Sequence, residues 1–383
     1  MSVKKIVFID HEPLTQRVYD IFQIKQLIEA GYFLEYRDIS KFLYPGIEMH
    51  NKFENNQSVQ IKNINEYIES FSKDIKTETL YIAVFPNNWK NRKLYRILKL
   101  KTSKVVQLEM YSTFILKLNF RQRVFLFAST YKTSIKNKIL SWAYLLYKRI
   151  YNFNPIDIKI TSQIKYVNEN HVVAINHPDY ELALKLKEMD KIMNQPFIVF
   201  LDEYFPFHPD YVTVNNIKPS NKDFENYQKK LCDFFDRVEK KHELKIIIAL
   251  HPRANYKLGV FGGRELVKHR TCELVRDAKF TILHSSASIH FSIIYKKPIL
   301  FLSTNEFIKY PLLVERIRQL SKYFKAPHIN LDQENFQLPD PSINSLGYNG
   351  YTYTYLTNKD IERKYNVDII LDFLKNYNLS KFH

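Results

Sequence analysis

The sequence predicts an α/β protein made of two Rossmann-like halves and a closing C-terminal helix. Three observations carry this. Short, nearly uninterrupted apolar runs recur along the chain, among them IVFID (6–10), FIVFL (197–201), KIIIAL (245–250) and PILFL (298–302), the pattern of parallel strands buried on both faces. Stretches with apolar residues three and four apart lie between them, as crossover helices require. The rhythm breaks once, at a basic and aromatic segment near 120–152, and then resumes. The expected boundaries are a first domain over 1–155, a second over 156–345, and a linker with a terminal helix over 346–383.

The elements come in order. KKIVFID (4–10) is a first strand, and VYDIFQIKQLIEAGY (18–32) a helix closed by Gly31. FLEYRDI (33–39), TLYIAVFP (79–86) and SKVVQLEM (103–110) are strands, with helices near 62–74 and 89–99. The segment 120–152 has a helical, amphipathic period. HVVAI (171–175) opens the second set of strands, which continues with FIVFL, KIIIAL, FTILH (280–284) and PILFL. DFENYQKKLCDFFDRVEKKH (223–242) is a long amphipathic helix with Asn221 or Asp223 near its start. RELVKHRTCELVRDA (264–278) also reads as helical. SLGYNGYTYTYL (345–356), rich in Gly and Tyr, reads as a linker before a helix at 360–377.

Composition narrows the function. The chain has 383 residues and a formal charge of +17, with 28 Phe, 27 Tyr and only 7 Gly, so disordered and collagen-like classes are excluded. Cys232 and Cys272 are the two cysteines; without a Cys-x-x-Cys or Cys/His cluster, neither a zinc site nor a disulfide is expected, and the compartment is expected to be reducing. The start, MSVKKIVFIDHEP, lacks the length and cleavage site of a signal peptide, and no window is apolar for the roughly 18 residues of a membrane span. The positive charge admits nucleic acid, an anionic membrane surface or an anionic substrate. It is concentrated: between Met110 and Pro155 there is no acidic residue, while Lys117, Arg121, Arg123, Lys132, Lys136, Lys138, Lys148 and Arg149 alternate with aromatic and aliphatic residues. This segment fits an anionic membrane surface, or else a helix with its apolar face in the core and its lysines in water. A nucleic-acid partner is not expected, because no nucleic-acid motif accompanies the charge.

Ligands of open α/β sheets bind beyond the carboxyl ends of the strands, so the residues just after each strand carry the chemistry. HVVAI is followed by Asn176-His177-Pro178-Asp179-Tyr180, and FIVFL by Asp202-Glu203 and then His208-Pro209-Asp210. KIIIAL is followed by His251-Pro252-Arg253, and FTIL by His284-Ser285-Ser286-Ala287-Ser288. Pro252 stops the strand and fixes the histidine, and Arg253 offers a fork suited to phosphate. The serines are expected to open a helix over 285–295 and to cap it or hold an anion there. Thr271 lies either at the same site or on a helix surface. Asp202 or Glu203, with His208 and Asp210 as a second set, are the candidate catalytic groups, and YFPF between them anchors a loop over the site. There is no Asp-x-Asp pair, no Gly-x-Gly-x-x-Gly and no Walker A loop, so no metal and no dinucleotide cofactor is expected.

These residues bear a resemblance. Asp202-Glu203, His251-Pro252 and Ser285-Ser286 are similar, in order, to the acidic, HP and serine motifs of bacterial sialyltransferase-like enzymes. EYRDISKFLYP (35–45), FLDEYFPFHPD (200–210) and ALHPRANY (249–256) resemble bacterial surface-polysaccharide proteins related to transferases of CMP-activated nonulosonic acids or Kdo. The motifs cover about 195–305. The resemblance implies a GT-B-like fold and metal-independent transfer from a CMP-sugar to a glycan or glycolipid acceptor, in the cytoplasm or on the inner face of its membrane. It also implies that His251 contacts the CMP phosphate, that Ser285 and Ser286 bind the phosphate or cytidine side, and that Asp202 or Glu203 is the catalytic carboxylate. Tyr204 departs from the glycine usual after the acidic pair, which leaves that carboxylate and the anomeric outcome open. The rival readings are a transferase using a UDP- or GDP-sugar, an inactive capsule-assembly protein, and a basic binding module.

Overall fold

The computed structural model describes residues 3–45, 53, 57–102, 104–112, 114–118, 131–163, 171–208, 220–257 and 259–377, the side chains of 131–134 and 137 excepted. The chain divides into two units, one of residues 1–112, 117–178 and 358–383, the other of 113–116 and 179–357.

The first unit holds β1 (Lys5–Asp10), β2 (Phe33–Asp38), β3 (Ser58–Gln60), β4 (Thr79–Ala83), β5 (Val105–Glu109), β6 (Ile158–Thr161) and β7 (Val172–Ala174). They form one parallel sheet in the order β3-β2-β1-β4-β5-β6-β7. Strand side chains alternate between faces. Ile6 and Phe8 therefore join Leu34, Leu80 and Ile82 in one layer, and Val7 and Ile9 join Tyr81, Ala83 and Leu98 in the other. The helix Asn366–Asn376 closes back onto the first layer through Ile369, Ile370 and Leu374. Asn176 latches it: Asn366 accepts from the Asn176 N–H at 2.8 Å and returns a bond to its carbonyl at 2.9 Å.

The second unit holds β8 (Phe197–Leu201), β9 (Lys245–Leu250), β10 (Leu266–Lys268), β11 (Thr281–Leu283), β12 (Ile299–Ser303) and β13 (His328–Asn330), all parallel, in the order β10-β9-β8-β11-β12-β13. The helix Asn221–His242 covers it with Tyr227, Leu231, Phe234, Phe235 and Val238 and is capped by Ser220, whose hydroxyl accepts from the Asp223 N–H at 3.3 Å. The α/β class, the two Rossmann-like sheets and the returning C-terminal helix are those expected.

Four expectations change. HVVAI is β7, on the edge of the first sheet rather than in the second, and the first unit runs to residue 178, past the expected boundary at 155. The helix expected over 18–32 is two, Gln16–Ile21 and Ile24–Glu29, because Gln23 takes a left-handed φ of 57°. Gly31, at φ 94°, does close the second one: its N–H reaches Ile28 O, and the next N–H reaches Leu27 O. The stretch 264–278 is helical only over Thr271–Asp277, with β10 before it. The linker read at 345–356 is a helix, Ser345–Tyr351, continued by a π turn, and belongs to the second unit. Its Tyr348 and Tyr351 are buried against Phe324, and the Tyr348 hydroxyl donates to Lys297 O at 2.7 Å. The basic segment is helical over Tyr131–Ile150; its part before 131 lies outside the described residues. Among the described residues no helix is long and apolar enough to cross a membrane.

Candidate functional site

Each sheet grows in one direction and then in the other. The reversal falls between β1 and β4 in the first unit and between β8 and β11 in the second. At such a point the loops leaving neighbouring strands diverge, and their residues line a crevice.

In the second unit the loops that leave β8, β9 and β11 meet at this point. Asp202 is buried and fixes the surrounding loops. Its carboxylate accepts from the Tyr204 N–H at 3.0 Å, the Tyr256 hydroxyl at 2.9 Å and the His251 N–H at 3.2 Å. Burial raises it to about 6 in spite of these donors. Glu203 points the other way along the chain, as alternation requires, and reaches β11. The Ser285 N–H donates to its Oε1, and Ser285 Oγ lies 3.3 Å from Oε2. Glu203 as a residue is only partly buried, but its carboxyl group is enclosed; that enclosure raises it to about 7, the Ser285 bonds and Arg316 acting in the opposite sense and the charge of Asp202 adding to the rise. The Ser285 N–H is thus an anion donor whose acceptor here is a side-chain carboxylate.

His251 leaves β9 partly exposed. Its Nδ1 accepts from the Arg253 N–H at 3.2 Å, which puts the proton of the neutral ring on Nε2. The His208 ring stands edge-on to it, centroids 4.7 Å apart, and the Tyr204 ring lies parallel at 6.4 Å. The loop carrying His208 is anchored as expected: Phe205 is buried among Tyr227, Phe307 and Tyr310, and Phe207 packs on Phe224. Pro252 and Arg253 are exposed in the turn after β9. Asp210 lies outside the described residues.

Three expected ligand-binding groups are placed otherwise. His284 is a core residue: Nδ1 donates to Leu302 O at 2.8 Å, Nε2 accepts from the Tyr227 hydroxyl at 2.7 Å, and burial lowers it to about 4, so it is neutral. The helix expected from 285 begins at Ile289, after a turn, so Ser285 and Ser286 are not its caps, and Ser288, at the cap position, makes no side-chain cap bond. Ser286 Oγ instead accepts from the Ser288 N–H at 3.3 Å. Thr271 opens the helix after β10, the edge strand, with β9 and β8 between it and β11. The strand end after HVVAI, 176–180, divides between structural roles: Asn176 latches the terminal helix, and Asp179 pairs with buried His290 at 2.8 Å.

Sequence reading passed over two groups here. Tyr256, five residues after His251, gives Asp202 one of its donors. Arg316, on the helix Pro311–Phe324, is the cation acting on Glu203, and no motif marks it. It also passed over the first unit's crevice, a cavity of about 880 Å³ lined at the ends of β1, β4 and β5 by Asp10, His11, Glu12, Asn87, Glu109 and Tyr111. Asp10 is buried and accepts from the Tyr36 hydroxyl at 2.9 Å. His11 Nδ1 lies 3.0 Å from Asp10 Oδ1 without the alignment of a hydrogen bond; the Asp10 carboxylate raises the imidazole against the effect of burial. The signal was visible in the sequence as IDHEP, a strand ending in three polar groups.

No family model matches the chain, and no curated protein does. Solved structures similar to it include the wall teichoic acid polymerase TagF (13% identity, 97% of this chain and 84% of that one, TM-score 0.40). Others are the glycotransferase of kitacinnamycin (8%, 96% and 97%, 0.43) and the UDP-GlcNAc 2-epimerase from Methanocaldococcus jannaschii (12%, 90% and 98%, 0.42). Likeness of this degree does not define the chemistry, which rests on the residues of the crevices.

Proposed function

We propose that this chain is a glycosyltransferase that moves a nonulosonic acid or Kdo from its CMP-activated donor to a surface glycan or glycolipid, without a divalent metal. The observation that carries the reading is the cluster of groups at the reversal point of the second sheet. There the Ser285 N–H and hydroxyl already hold an anion, Arg316 acts on the same anion, and His251 and His208 stand at the ends of neighbouring loops. The donor phosphate, a diester with one negative charge, presents the same kind of acceptor oxygens as the Glu203 carboxylate. In this reading the donor phosphate takes the place of Glu203 on Ser285, and His251 and Arg316 stabilise the negative charge that grows on CMP as the glycosidic bond breaks.

Of the candidate carboxylates among the described residues, Asp202 is committed to three donors, whereas Glu203 is hydrogen-bonded by Ser285 alone among those residues. Glu203 is therefore the general base. Displaced by phosphate, it takes the proton of the acceptor hydroxyl; the acceptor oxygen bonds to the anomeric carbon, and the electrons of the broken bond leave on CMP. The cleft of the first unit, with carboxylate, amide, imidazole and phenol groups on its walls, is assigned to the hydroxyl-rich acceptor.

The test is a donor panel in EDTA: CMP-N-acetylneuraminate, CMP-pseudaminate, CMP-legionaminate and CMP-Kdo beside UDP- and GDP-sugars. CMP release from one of the first four, lost in His251→Ala, supports the reading. Release of UDP or GDP instead would assign the crevice to another nucleotide, and turnover dependent on Mg²⁺ or Mn²⁺ would contradict the metal-free mechanism.

A further inference from the structure

The helix Tyr131–Ile150 leaves one face of large apolar side chains exposed. Its inner side is fixed: Tyr144 is buried and donates to Asn87 Oδ1, and Tyr147 sets its ring against Trp89 and Phe153. The opposite side carries large apolar residues in water. Trp142 is 79% exposed, Ile150 66%, Ile139 61%, Leu145 60% and Leu146 58%. At 100° per residue, these side chains and those of Lys138 and Arg149 fall within about 80° of Trp142. Amphipathic helices of soluble proteins turn their apolar stripe inward. Here the polar tyrosine hydroxyl is turned inward, and an aromatic and aliphatic stripe, flanked by cations, is turned outward.

Charge says what would cover it. No acidic residue occurs between Met110 and Pro155, and the exposed side includes Lys138 and Arg149. A face of this kind repels a basic surface, and the helix itself carries no acidic residue. Trp142 with aliphatics on both sides suits the acyl depth of an anionic lipid surface, and Lys138 and Arg149, towards the two ends of the stripe, have stems long enough to carry their charges up to the headgroups.

We infer that the outer face of this helix docks the protein on an anionic phospholipid membrane, lying in the interface without crossing it. The docking stands independently of the donor chemistry proposed above. It has a consequence for the first unit: Lys148 of the same helix lines that unit's cleft, so the cleft wall comes within about one helix diameter, ~10 Å, of the docked face.

Vesicle sedimentation tests it, using the full chain with phosphatidylcholine vesicles containing or lacking 30% phosphatidylglycerol. The expected result is binding to the anionic vesicles, several-fold weaker in 0.5 M NaCl, with a blue shift of tryptophan emission. Trp142→Ser/Leu146→Ser should bind at least about tenfold more weakly; both side chains are exposed, so its circular dichroism and melting should match wild type. Absence of binding to anionic vesicles, or undiminished binding by the double variant, overturns the proposal. So does a concentration-dependent dimer that the double variant loses, since a second copy would then be what covers the face.

Discussion

Replacing Glu203 by Gln should make the protein more stable at pH 8. In the folded state the carboxyl group sits near 7 against an ordinary value of 4.5. Below 4.5 it is protonated folded and unfolded, and pH has no effect through it. As pH rises, the unfolded chain gives up this proton first, so stability falls by about 1.4 kcal/mol per pH unit until the folded carboxyl also ionises. The loss is complete above about 7 and amounts to roughly 3 kcal/mol. Asp202, raised to about 6, drives stability in the same direction, and the two titrate as a pair. Glutamine keeps the carbonyl oxygen for the Ser285 N–H and removes the charge, while its amide needs an acceptor. The net gain expected at pH 8 is therefore about 1–3 kcal/mol, shrinking towards zero at pH 4. Urea unfolding followed by circular dichroism reads this out. Both tryptophans, Trp89 and Trp142, lie in the first unit, so their emission follows that unit and should not change. A variant no more stable than wild type at pH 8, or a wild type with flat stability from pH 5 to 8, would refute the reasoning.

In the first unit, Asp74→Asn should cost about 1.5–3 kcal/mol, because it removes one of the two carboxylates on the almost fully buried Arg37 guanidinium, Asp74 at 2.5 Å, and leaves Glu35 at 2.6 Å as the other. Burial alone would raise Asp74, but bonds from Lys5, Tyr81 and Arg37 outweigh it and hold it low, so its stabilisation is present above the ordinary carboxylate range and lost as pH falls through the depressed value. Tryptophan-detected unfolding checks this, and an unshifted midpoint would show that the ion pairs contribute nothing. His11→Ala should leave donor hydrolysis unchanged and raise the acceptor KM about tenfold, the worth of one charge-assisted hydrogen bond; an unchanged KM would remove the acceptor from that cleft.

Strands buried on both faces announce themselves, which is why β1, β4, β8, β9 and β12 were legible. The edge strands SVQ (58–60), LVK (266–268) and HIN (328–330), and IKIT (158–161) one place in from the edge, were not, because they are short and mixed in polarity and exist through pairing with a neighbour already in place. The turn chemistry of SLGYNGY misled in the opposite way: two glycines read as a linker, yet Tyr348 and Tyr351 are large enough to hold the helix against the core. At the site, strand ends located the crevice without separating chemistry from support. His284 sits two residues after fully buried Ile282, on the same face of the strand, so it points into the core. Glu203 and Ser285 are 82 residues apart, and only the strand order brings them together.

The central claim is that the reversal point of the second sheet binds a nucleotide phosphate through protein groups alone. Calorimetric titration of CMP in the presence of EDTA tests it directly. The account predicts one site per chain, weakened tenfold or more by His251→Ala and unaffected by His11→Ala. Absence of binding until Mg²⁺ or Mn²⁺ is added, or equal affinity in His251→Ala, would contradict it.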